Sequence, residues 1–144
     1  MNFDDIIEGF NKQNPRFDPL QQYEAIKKFV EAKKQLNLVD LNKLEVATIF
    51  DNVWCREYED EDCESCPVCK YEEGWGDCAT GRFHGLGCVS GELHPFYEKI
   101  HGVWDYINAL KNQDDEISKR DLLNAVDDII SYLKQAIKET TKKP

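Results

Sequence analysis

Cysteine is absent from the first 54 residues of this 144-residue chain and from the last 56. Methionine occurs once, and excess positive charge is missing: 18 Lys and Arg stand against 28 Asp and Glu, a net charge of −10. A surface of that sign repels phosphate, so direct nucleic-acid binding is disfavoured. No apolar run approaches the roughly 18 residues of a membrane-spanning helix. The start, Met1-Asn2-Phe3-Asp4-Asp5, has neither the basic residues nor the apolar core of a secretion signal, so a cytoplasmic location is expected. There is no G-x-S-x-G nucleophile motif, no P-loop and no dinucleotide glycine fingerprint. Convincing strand alternation, internal repeats and low-complexity tracts are also lacking. Those absences leave a mainly α fold, read as a single domain over 1–144.

The helical signals are local and specific. Asn2 and Asp5 have the spacing of a capping box before the apolar positions Phe3, Ile6, Ile7 and Phe10, which predicts a helix over about 2–10. Asp18 caps a second helix, with Pro19 at its first position and Tyr23, Ile26, Phe29, Val30 and Leu36 on one face, expected over 19–36. Lys27, Lys28, Lys33 and Lys34 form its solvated side. Asp40 is expected to cap a third helix over 40–54, through Leu41, Leu44, Ala47, Phe50 and Val53, delivering Cys55 at its C-terminal end. A fourth is expected over 95–112, with Phe96, Ile100, Val103, Trp104, Ile107 and Leu110 as its stripe. Ser118 and Asp121 make a second capping box, opening a helix over 118–139 with Leu122, Val126, Ile129, Ile130, Leu133 and Ile137 on one face. That stripe should pack against 19–36 and 95–112.

All six cysteines fall between Cys55 and Cys88, as Cys55-x7-Cys63-x2-Cys66-x2-Cys69-x8-Cys78-x9-Cys88, with His84 inside the run. Six of the eight glycines lie at 74–91, and neither helical nor strand periodicity is visible there. In a reducing compartment clustered thiols bind metal more often than they pair; a secreted disulfide module whose signal has been removed is the alternative. We read 55–91 as a loop module that binds Zn²⁺, inserted into a small helical bundle. Cys66-Pro67-Val68-Cys69 places two thiolates on a tight turn and resembles the knuckle of rubredoxin-like and zinc-ribbon sites. Tetrahedral zinc needs two more ligands. Cys78 and Cys88 are the natural second pair, with Cys63, Cys55 and His84 as alternates. The triple Cys63-x2-Cys66-x2-Cys69 resembles part of the bacterial ferredoxin pattern, but the next cysteine follows after eight residues and no second half exists, so iron–sulfur ranks below zinc. A second zinc sharing thiolates is a further arrangement. A thiolate-rich ligand set makes zinc a poor Lewis acid, so the site is expected to be structural and its binding energy to be folding energy.

The negative charge is concentrated in the same stretch. Residues 55–98 carry 3 basic and 11 acidic groups, whereas 1–54 carry 7 and 9, and 99–144 carry 8 of each. Glu57, Glu59, Asp60, Glu61, Asp62 and Glu64 are too dense for regular packing and predict an exposed loop. With Trp75 they are the candidate partner-binding residues. Trp75, Phe83 and Leu86 stand among glycines; packed, they would fix the loop to the bundle, and exposed, they would be interface anchors. His94, Glu98, His101 and Asp105 fall at helical spacing, and Glu98-x2-His101 is a pair used in di-iron bundles. Those bundles need a second pair and two further glutamates, so a polar stripe is expected here. A thiol-redox role for Cys66 and Cys69 would need a βαβ context that the flanks do not supply.

The expectation is a non-enzymatic, zinc-stabilised acidic inhibitor or adaptor that docks on a basic, nucleic-acid-binding protein surface. In charge and size it resembles virus-encoded inhibitors of host defence nucleases. A structural subunit docking by a helical face ranks second, and a metalloenzyme third.

Overall fold

The structure, a computed structural model, describes residues 1–12, 17–49, 71 and 95–141; in the last span side chains are described from Glu98 to Glu139. It is mainly helical, and no β-strand forms among the described residues. The helices that lie wholly among the described residues are α1 (Phe3–Asn11), α2 (Pro19–Ala32), α3 (Leu38–Ala47), α4 (Pro95–Lys111) and α5 (Lys119–Thr141).

The starts of α1, α2, α3 and α5 rest on side chains three residues apart. At α1 the Asn2 side chain accepts from Asp5 N–H at 3.0 Å, and Asp5 accepts from Asn2 N–H at 2.9 Å. Asp18 accepts from Gln21 N–H at 3.1 Å, with Pro19 in the first turn of α2. Ser118 and Asp121 close the same reciprocal box at α5, with Ser118 N–H donating to Asp121 at 2.8 Å. Each box satisfies backbone donors that a helix start leaves without partners. α4 ends differently. Gln113 takes φ 59°, Gln113 N–H donates to Leu110 O and Asp114 N–H to Ala109 O. This is a Schellman turn with glutamine where glycine is usual.

Three boundaries depart from the sequence expectation. α2 stops at Ala32, because Lys33 is extended (ψ 127°); Leu36 still packs on the core, but from the connector. α3 begins at Leu38, capped by Asn37 and not Asp40. Asp40 is the return arm of the box: it accepts from Asn37 N–H at 3.1 Å while Asn37 accepts from Asp40 N–H at 2.8 Å. Continuation of helix from 40 to 54 fails at Thr48, and Ile49 lies outside the helix; Phe50, Val53 and Trp54 lie outside the described residues.

The core forms where apolar faces meet. α5 packs on α2 and on α4, and α3 packs on α1 and α4. Ile26 and Val30 of α2, Ile100, Val103 and Ile107 of α4, and Val126, Ile129 and Leu133 of α5 are all fully buried. Burying one such side chain contributes about 1.5–3 kcal/mol. Phe3 stacks on Phe29, with centroids 3.8 Å apart, and joins α1 to α2. Ion pairs stitch the rims: Lys27–Asp127 at 2.8 Å, Lys99–Asp128 at 2.8 Å, and Lys111 with Glu45. The hydrogen bond and charge of Asp127 raise the Lys27 pKa above its ordinary value. Among the described residues no helix is long and apolar enough to cross a membrane.

Candidate functional site

The cysteine-rich stretch joins α3 to α4. Cys55, Cys63, Cys66, Cys69, Cys78, Cys88 and His84 lie outside the described residues, as do Glu57, Glu59, Asp60, Glu61, Asp62, Glu64 and Trp75. The bundle does define how the chain enters that stretch, and one contact from within it.

The entry is a polar clasp on the end of α3. A helix leaves its last carbonyls without intrahelical donors, and burying them requires partners. Here α2 supplies them. Gln22 Nε2 donates to Ala47 O at 2.6 Å and to Ile49 O at 2.9 Å, and Tyr23 Oη donates to Thr48 O at 2.7 Å. Three successive carbonyls are thereby held by two adjacent side chains that are themselves fully buried. Thr48 Oγ1 donates back to Leu44 O at 2.9 Å and accepts from Trp104 Nε1 of α4 at 3.1 Å. Gln22 Oε1 is the one buried side-chain oxygen among the described residues without a hydrogen-bond partner. Sequence reasoning singled out neither Gln22 nor Thr48. The available signal was a glutamine directly beside Tyr23, on the edge of an apolar face.

The contact from within the stretch is Tyr71, two residues after Cys69. It is helical, 39% exposed, and meets Tyr132 of α5 edge to face with centroids 5.5 Å apart. Lys99 Nζ lies 5.7 Å from the same Tyr132 ring and pairs with Asp128. Aromatic pairs of this geometry contribute about 0.5–1.5 kcal/mol. Tyr71 is thus seated against Tyr132 of α5.

The polar stripe on α4 is distributed over the surface. His101 Nδ1 lies 3.2 Å from Asp105, both exposed, and its ring meets Trp104 edge-on at 6.4 Å. Glu98 instead lines an open groove of about 480 Å³ between α4 and α5, with Lys99, Gly102, Tyr106, Asp121 and Asp128. His94 lies outside the described residues. Among those residues no three His, Cys, Asp or Glu side chains converge as a metal site. Comparison of the chain with protein-family models, with curated proteins and with solved structures finds no significant match.

Proposed function

We propose that the protein is a non-enzymatic binding protein, an inhibitor or adaptor, that presents an acidic, zinc-stabilised segment to a basic surface on a partner protein. The carrying observation is the charge distribution: −8 of the net −10 lies in residues 55–98, the stretch that also holds every cysteine. The helical frame supports the reading. The caps of α1, α2, α3 and α5 come from residues beside each helix, and the frame holds the entry to the acidic stretch by named hydrogen bonds. Cys66 and Cys69 provide one half of a tetrahedral thiolate site, and Cys78 and Cys88 the other, with Cys63, Cys55 and His84 as alternates. Zinc there folds the loop. Glu57, Glu59, Asp60, Glu61, Asp62 and Glu64 accelerate encounter with a basic partner and fix its register, and Trp75 anchors the contact.

The test has two arms. Protein purified without added metal should carry about one equivalent of zinc, the stoichiometry of one closed site; a transition-metal content well below stoichiometric refutes the module. Capture from cytoplasmic extract of the native host should retain a basic partner that elutes as salt rises. Neutralising Glu59, Asp60, Glu61 and Asp62 to their amides should abolish that retention with zinc content intact. Equal retention by wild type and variant refutes the recognition role.

A further inference from the structure

α3 is apolar on two sides. Leu41, Leu44 and Ala47 face the core, yet Leu38, Val39 and Val46 are 59%, 61% and 39% exposed. A helix that is apolar around most of its circumference is normally covered around most of it. Val39 and Val46, seven residues and two turns apart, share a face. With Ile7 of α1 they line a trough of about 270 Å³ whose other walls are Asn11, Asn42 and Lys43.

Lys43 also lines the neighbouring cavity, about 570 Å³, between α1, α2 and α3. Lys28 and Lys33 line that cavity too, with Asp4 and Asp40 as its carboxylates. Asp40 is only 5% exposed and is engaged by Asn37 N–H and by Lys33 at 3.6 Å. Elsewhere on these helices Glu8 is paired with Lys12, and Glu45 with Lys111. Lys28 and Lys43 pair with no carboxylate among the described residues. With Lys33 paired to Asp40, the mouth holds, among the described residues, the two unpaired ammonium groups of Lys28 and Lys43 against the one unpaired carboxylate of Asp4, a net basic end to the apolar trough in a chain of net charge −10.

We propose that the α1–α3 groove docks an amphipathic helical segment of a partner protein whose apolar stripe is flanked by acidic side chains. The apolar stripe covers Ile7, Val39 and Val46, and the carboxylates reach Lys43 and Lys28. Charge complementarity selects this occupant. A basic segment meets unpaired ammonium groups, and a second copy of the chain brings two net charges of −10 together. The residues that line this surface lie outside 55–91 in sequence, and the proposal does not depend on the function proposed for that stretch; together the two make the protein a two-site adaptor.

The probe is a synthetic peptide of about five helical turns with a leucine stripe flanked by glutamates, read by fluorescence anisotropy against the full chain. Saturable binding is expected, with amide shift changes at Ile7, Val39 and Val46. Replacing the peptide's glutamates by lysines should weaken binding at least about tenfold, as should Lys43→Glu or Val39→Asp in the protein. Both protein positions lie on the surface, and circular dichroism checks that the variants remain folded. Four outcomes would overturn the proposal: no saturable binding of the glutamate peptide, equal binding of the lysine peptide, shifts confined to α4 and α5, or a wild-type dimer that Val39→Asp converts to monomer.

Discussion

Replacing Tyr23 by phenylalanine removes one hydrogen bond of the clasp. The ring stays in its fully buried seat, so its packing is retained. What is lost is the 2.7 Å donation to Thr48 O, and the carbonyl is left in an interior without a compensating donor. An unsatisfied buried polar group costs about 1–3 kcal/mol. A chain of 144 residues unfolds with an entropy of about 0.3 kcal/mol/K, so each kcal/mol moves the midpoint by about 3 °C. Tyr23→Phe should therefore lower Tm by about 3–10 °C, measured by far-UV circular dichroism. Gln22→Glu is the harsher companion. It keeps the shape of the side chain but replaces the two donations to Ala47 O and Ile49 O with a carboxylate facing two carbonyls. That change should cost several kcal/mol, a large share of the 5–15 kcal/mol that stabilises a typical domain. A Tm for Tyr23→Phe within about 1 °C of wild type, together with a folded, cooperative Gln22→Glu, would refute the idea that these side chains hold the end of α3.

Further outcomes are expected elsewhere in the bundle. Val126→Asp places an unpaired charge between α5, α2 and α4 at a fully buried position and should cost several kcal/mol, with loss of cooperative thermal unfolding; an unchanged melt would mean that the stripe is exposed. Gln113→Gly should relieve a non-glycine residue at φ 59° and raise stability by about 1 kcal/mol, read as a higher denaturant midpoint at unchanged m-value. Cys66→Ser or Cys69→Ser should release the proposed zinc while most of the far-UV helical signal survives, because the flanking helices have their own caps and apolar stripes; full metal retention in both variants would show that other residues are the ligands.

The sequence alone determined the helices whose signals lie within one turn. The boxes Asn2/Asp5 and Ser118/Asp121 and the Asp18-Pro19 start are contacts between residues three apart or fewer, so their spacing is their geometry. The apolar stripe of α5 likewise dictated its packing on α2 and α4, since only the buried side of a helix keeps that period. The zinc ligand set and the acidic docking segment are likewise readings of spacing and charge. At α3 the sequence points to Asp40 as the cap, and only the closed box shows that Asn37 is the cap and Asp40 its return arm. Leu36 kept the helical phase of α2 although it packs from a connector. Tertiary structure alone decided the clasp: Gln22 and Tyr23 find their acceptors 25–27 residues away, and no local pattern encodes that pairing. It also decided which side of α3 is left uncovered. Leucine and valine lie on both sides of that helix, so burial went to the side that α1 and α4 could reach, and Val39 and Val46 were left facing outward beside Lys43.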